Sequence, residues 1–381
     1  MVGELVPSPV DPVTAGVDFW RRYHEFRRVR QEETRPDEPV RNDADEEAHL
    51  KRISPFQAEK YFEVSRGREM LGLLQMSFVE PAAPAYESNQ HLCEADVFVR
   101  GADRRRGIAS SFLPVIVELM EGRGCTTVGG WVEEDAGHGF MKWVGAESKL
   151  AEIESRLMFS EIDWPELERW VEEGARRSPD TKLETIIGPV PEDEWEAFGS
   201  QLSVMLNTIP FEALDHGKIV VTPETMRDFY NRLEVNREVQ HTVLTREPDG
   251  TISGITDVTW APHRSEFIEQ RFTGVRPDAR GRGLGKWIKA AMLLHLRELY
   301  PDTRWIGTGN AGSNAPMLKI NRALGFKPYR TGTAYQITRD RLAARLAAGK
   351  VFLPLCTLRT SRMTPTRISK AGSAALPTGP K

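Results

Sequence analysis

A loop pattern that occurs twice constrains this chain more than any other feature. The stretch "RPDARGRGLGKWIK" at 276–289 places Arg280-x-x-Gly283-x-Gly285 just before an amphipathic run in which Leu284, Ile288, Met292 and Leu299 fall near helical spacing. In "VFVRGADRRRGIASSFLPVIVELM" the same setting holds Arg104-x-x-Gly107-x-Ala109. The offset, 280 − 104 = 176 residues, is the length of one domain. Self-similarity at that period in a chain of 381 residues predicts two tandem copies of one α/β unit.

The flanking landmarks recur in the same order. "EKYFEVSRGREMLGLLQMSFVEP" reads as two strands around "RGRE", and "EVQHTVLT", "EPDG" and "TISGITDVTW" read as the matching hairpin. "DWPELERWVEEGARR" is helix-like, "SPD" breaks it, and "KLETIIG" opens the second copy as a strand. These signals predict an N-terminal module over 1–178, a C-terminal module over 179–350 and a largely disordered tail over 351–381, where periodicity gives way to Pro, Gly, Ser and Thr.

A glycine-rich turn running into a helix brings unpaired backbone N–H groups and the positive end of a helix dipole to one point, which suits phosphate. Two common nucleotide motifs fail. The dinucleotide fingerprint needs glycine where Lys286 stands, and a Walker loop needs Ser or Thr where Trp287 stands. A net charge of −4 gives no electrostatic case for nucleic acid or an anionic membrane. Cys93, Cys125 and Cys356 are too scattered for a disulfide framework, and no His pair has the i, i+4 spacing of a helical zinc site, so no metal is expected. The opening residues lack a signal-peptide pattern and no apolar run nears 18 residues, which predicts a cytoplasmic protein.

The double loop resembles the acyl-CoA pyrophosphate loop of the GNAT superfamily of N-acetyltransferases, and in particular its actinobacterial two-module members. The resemblance implies two tandem GNAT folds, each a mixed, mostly antiparallel sheet flanked by helices with a splayed central strand pair. It assigns the splayed strand to "FIEQRFTGV" and its neighbour to "RWIGTGN". Acetyl-CoA or another acyl-CoA would then meet Thr273, Val275, Arg280, Gly281, Arg282, Gly283, Leu284, Gly285, Lys286 and Asn314, with Arg104, Gly107 and Ala109 as a second loop. "NAPMLKINRALGF" matches the family's distal segment at Asn314, Gly325 and Phe326, but Asn321 stands where the family's thiolate-protonating Tyr is expected. Tyr329 and Tyr335 are the nearest replacements. By the same resemblance Glu269, six residues before Val275, is the expected base, with Asp257 or His263 as substitutes if the register is off by one. Strand alternation places Glu269, Arg271 and Thr273 on one face and Gln270 and Phe272 on the other.

Setting the repeats together puts Cys93 opposite Glu269, Glu134 opposite Asn314 and Met141 opposite Asn321. The N-terminal module therefore reads as degenerate and the C-terminal module as catalytic. The implied activity is acyl transfer, most simply of acetyl, to the amine of a small metabolite by a monomer or homodimer. The alternatives are transfer of a one-carbon iminomethyl group and a non-catalytic acyl-CoA sensor.

Overall fold

The computed structural model describes residues 5–348; the expected tail lies outside them. The first half of the chain runs β1 (Ser8–Val10), α1 (Val17–Thr34), α2 (Asp43–Lys51), β2 (Gln57–Arg66), β3 (Glu69–Val79), α3 (Tyr86–Asn89), β4 (Leu92–Val99), α4 (Ile108–Ser111), α5 (Leu113–Arg123), β5 (Thr127–Val132), α6 (Asp135–Val144), β6 (Glu147–Met158) and α7 (Trp164–Arg177). The second half repeats the order with β7 (Lys182–Ile187), α8 (Trp195–Leu206), α9 (Pro223–Val235), β8 (Val239–Arg246), β9 (Ile252–Trp260), β10 (Phe267–Val275), α10 (Leu284–Leu299), β11 (Trp305–Ala311), α11 (Ala315–Leu324), β12 (Lys327–Thr338) and α12 (Arg339–Ala348). Among the described residues no helix is long and apolar enough to cross a membrane.

All twelve strands join one sheet in the order β1-β2-β3-β4-β5-β12-β6-β11-β10-β9-β8-β7. Only β4–β5 and β10–β11 run parallel; the other neighbours are antiparallel. Each parallel pair is short and then opens. β4 leaves β5 after Glu94↔Gly129, and β10 leaves β11 after Gln270↔Thr308, although all four strands continue beyond those points. The splayed pair expected of each copy is present in both.

The halves exchange their last strands. β6 pairs with β11 and β12 with β5, so each closes the sheet of the other half. The helices that follow go with them: α7 packs on α10 and α12 on α5. By packing, β6 and α7 thus go with the second half and β12 and α12 with the first, whereas the expected boundary at 178 follows the order of the repeats. The sequence shows where a repeat begins, but strand partners depend on contacts far apart in the chain.

Each face of the sheet carries its own core. In the N-terminal half Cys93, Leu74 and Met76 pack with Ile108, Phe112 and Met120, whereas Phe19, Trp20, Tyr23 and Phe26 of α1 cover the opposite face against Met70 and Leu73. In the C-terminal half α10 supplies Ile288, Met292 and Leu296 to one face, and Trp195, Phe198 and Met226 cover the other. The α7–α10 contact is tight enough that a Cβ on Gly174 would overlap the Trp287 indole. Gly174→Ala should therefore destabilise the fold by about 1–3 kcal/mol, the usual range for overpacking, as read from the denaturant midpoint.

Candidate active site

The two loops have nearly the same backbone. A short 3-10 turn, Gly101–Asp103 or Pro277–Ala279, precedes each, and Arg104 and Arg280 then adopt φ, ψ of −63°, 159° and −64°, 159°. Each arginine donates from Nε to a strand carbonyl, Val99 at 3.5 Å and Val275 at 3.3 Å. Gly107 at φ 86° and Gly283 at φ 87° then open the helix. This left-handed geometry favours glycine at both positions. The side chains around the loops differ, and that difference separates the halves.

In the N-terminal half a cleft of about 760 Å³ runs from Arg104, Gly107 and Ala109 along Val97 and Val99 to Tyr23 and Arg30 on α1. It passes through the gap where β4 leaves β5. Gly130 lets β5 pack closely there, because a Cβ on it would lie 3.0 Å from both the Ala95 carbonyl oxygen and Met141 Cε. Glu134, set opposite Asn314 by the repeat, accepts hydrogen bonds from Arg30 and Arg104. Burial opposes ionisation of this carboxyl, but the two guanidinium groups outweigh it and hold the group below its ordinary range. Arg104 is thus shared with a neighbouring carboxylate whose charge is already balanced.

The C-terminal gap encloses only about 250 Å³, lined by Gln270, Thr273, Lys289, Thr308, Asn310 and Asn314 among others. Ile320 of α11 closes on the loop: a Cβ on the buried Gly285 would lie 3.1 Å from its Cδ1. Asn321, 3% exposed, donates to Asn310 at 2.7 Å and ties α11 to β11, while its own Oδ1 is buried without a partner. Asn314 caps α11 by accepting from the Met317 N–H at 3.3 Å. The basic residues expected near phosphate are engaged elsewhere. Arg282 pairs with Glu247 at 2.8 Å and donates to Thr181 at 2.6 Å, and Lys286 lies 4.4 Å over the Trp170 ring. Arg177 of α7 also stands over the loop, with Nη1 3.1 Å from where a Cβ on Gly283 would be.

The residues assigned to proton transfer fall in unexpected places. A bulge in β10 between Gln270 and Phe272 absorbs Arg271. Gln270 consequently turns to Lys289 of α10, and Phe272 packs on the opposite face, so the expected sharing of one face by these two is corrected. Counting back from Val99↔Gly72 and Val275↔Gly254, Glu269 corresponds to Glu94, and Cys93 to Ile268. Glu269 does not line the cavity; its carboxylate meets the Arg264 guanidinium at 3.4 Å. Asp257 accepts from Gln240 at 3.0 Å, and burial pushes its carboxyl up to about 6. Burial, with Arg41 next, lowers the His263 imidazole, and neither group lines the cavity. Tyr335 belongs to the other half: β12 pairs with β5, and its hydroxyl lies 3.1 Å from His138 Nδ1. It cannot serve as an acid beside Asn321. Tyr329 donates to Asp37 at 2.8 Å.

Two candidate groups escaped the sequence reading. Asp96 stands on β4 two residues beyond the last β4–β5 pair; its neighbours Ala95 and Val97 line the cleft, and Asp96 itself does not. Burial and then the Glu94 charge push its carboxyl up to about 6, against the opposing effect of the Trp131 backbone N–H. The signal was an acid on the splayed strand at "CEADVFV". Lys289 is the second, a lysine at a buried position of α10, visible in sequence only as a cation inside an apolar stripe. Among the described residues no group of three or more His, Cys, Asp or Glu could hold a metal ion.

No protein-family model matches the sequence, and no curated protein sequence does. Among solved structures, a tandem GNAT protein from the clavulanic acid biosynthesis pathway matches 88% of this chain and 99% of its own, at 20% identity and a TM-score of 0.69. A GCN5-related N-acetyltransferase from Sphaerobacter thermophilus matches 85% and 94%, at 14% identity and a TM-score of 0.58. A GCN5-related glucosamine N-acetyltransferase region of a fungal multi-domain GH3 β-N-acetylglucosaminidase matches 88% of this chain and 38% of that one, at 11% identity and a TM-score of 0.59. Likeness at these identities is a likeness of fold, and together with the two splayed strand pairs it establishes that this chain has the tandem GNAT fold.

Proposed function

We propose that the chain transfers an acyl group from acyl-CoA, most simply acetyl-CoA, to the amine of a small metabolite, and that the N-terminal half does so. This reverses the division of labour expected from the sequence. The observation that carries it is the large cleft of about 760 Å³ from the Arg104–Ala109 loop through the β4–β5 gap to α1, beside a gap of only about 250 Å³ in the other half. The residues present fit the cosubstrate. Backbone N–H groups at the glycine turn suit its pyrophosphate, and the apolar walls at Val97 and Val99 suit a pantetheine chain. The thioester supplies an activated acyl group; the remaining work is done by this chain's residues.

An ammonium has no lone pair, so the acceptor must lose a proton before it attacks. We assign that proton transfer to Asp96, which stands on β4 between two cleft-lining residues without itself being in the lining, and whose carboxyl burial and Glu94 push up to about 6, so that it is ionised at neutral pH. Met141 lines the cleft where the family's acid is expected, and the Tyr23 hydroxyl there is committed to Glu46 at 2.6 Å. The leaving thiolate therefore departs without a side-chain acid, which a thiol pKa of about 8.5 permits. The clavulanic acid pathway protein of similar fold supports a small metabolite as acceptor.

The test is thiol release from acetyl-CoA across an amine library with product masses. A gain of 42 mass units on the amine, the mass of an added acetyl group, is the expected result. A different added mass would favour one-carbon transfer, and CoA binding without turnover would favour a sensor.

A further inference from the structure

We propose that the small cavity between β10 and β11 is a binding site for a small amino-carboxylic acid, its carboxylate on the Lys289 amine and its ammonium facing the Glu152 carboxylate. The cavity's volume of about 250 Å³ is just below the roughly 300 Å³ at which drug-sized ligand pockets begin. Its walls mix apolar side chains such as Leu150, Phe211 and Met317 with the amide and hydroxyl groups of Gln270, Thr308, Asn310 and Asn314, and the one other cation in the lining, Arg271, faces Asp257 at 3.9 Å.

Lys289 is 2% exposed, and its one hydrogen bond goes to Gln270 Oε1 at 3.2 Å. An ammonium has three donors, so this one is short of partners. Burial lowers the amine to about 7, and no carboxylate acts against that shift. The Phe326 ring, 5.2 Å away, is its other neighbour. Across the cavity Glu152 of β6 lies against Gly309, where any Cβ would overlap its carboxylate. Burial, then Glu154 and Glu133, push Glu152 above its ordinary range, and no cation offsets them. One small cavity thus holds an amine without a counter-charge and a carboxyl without one, not paired with each other. A ligand carrying both opposite charges satisfies both. Strand exchange builds the site, because β6 brings Glu152 from the first half of the chain.

Calorimetry on the full chain at pH 8 with glycine, β-alanine, 4-aminobutyrate, acetate and ethylamine tests this without any acyl-transfer readout, so its outcome is independent of the proposed activity. At least one amino acid should bind at least about tenfold more tightly than acetate or ethylamine. Binding should take up protons, seen by titrating in buffers of different ionisation enthalpy, because the ligand carboxylate favours charged Lys289. Lys289→Met keeps the length of the side chain and should weaken the amino acid at least tenfold. If that variant does not fold, Glu152→Gln should abolish the preference over acetate. Failure of all three amino acids to bind at millimolar concentration, equal binding of acetate, or unchanged affinity in a folded Lys289→Met would overturn the proposal and leave a water-filled polar cavity.

Discussion

Gly107→Val loses acyl-CoA binding, and Gly283→Val keeps it. The two glycines have φ of 86° and 87°, so valine meets the same left-handed backbone, at roughly 1–2 kcal/mol of strain, in each loop. Any difference in cosubstrate affinity then reports the loop's role and not strain. At Gly107 no atom beyond its chain neighbours comes closer than 3.8 Å to the added Cβ, and the cleft lies in front of it. The branched side chain would stand where a phosphate approaches the backbone. Losing two hydrogen bonds to a charged phosphate at about 1.5 kcal/mol each weakens binding about 100-fold. Gly283 lies under Arg177 beside the smaller gap and should show less than about a threefold change, under about half of the 1.4 kcal/mol that separates decades of affinity. Calorimetry with CoA on both variants, each checked for folding, decides the matter. The reverse pattern would return the site to the C-terminal half.

Asp96→Asn should lower kcat/KM by roughly the 10²- to 10⁴-fold typical of a lost general base, and should remove the acid limb of the pH profile. The sign follows from the direction of the shift. Burial and Glu94 raise this carboxyl to about 6, the reaction needs its ionised form, and wild-type kcat/KM therefore rises through pH 6 and then levels. Asparagine keeps the shape and cannot titrate. A variant with wild-type rate at pH 7.5 and an unchanged profile would show that water or another group takes the proton. Glu269→Gln, by contrast, removes a carboxylate already engaged by Arg264 and outside either cavity, and should leave turnover within about threefold.

Most elements could be read from local pattern. The "RGRE" and "EPDG" turns, the helix from Trp164 and the strand "KLETII" all stand where spacing and turn residues place them, because such signals act over a few residues. The loops were legible for the same reason: a positive φ at Gly107 and Gly283 is a local demand. The face of β10 was not. One extra residue at Arg271 turned Gln270 toward α10 and moved the correspondence of Glu269 from Cys93 to Glu94, and no short-range signal marks where a strand will bulge. Tyr335 was misplaced because nearness in sequence to Asn321 says nothing about which sheet edge β12 joins.

The residue order alone carried the duplication, the α/β alternation within each copy and the two glycine turns, all of which follow from backbone preferences and periodicity over a few residues. Tertiary packing decided which copy stays open. Ile320 against Gly285, the Asn321–Asn310 bond and Glu152 against Gly309 narrow one gap to about 250 Å³, while the other half keeps a cleft of about 760 Å³. Under the proposed function the loops that looked stronger and weaker in sequence thereby exchange roles, since a turn sets where a phosphate could bind but long-range side-chain contacts set whether there is room for the rest of the molecule.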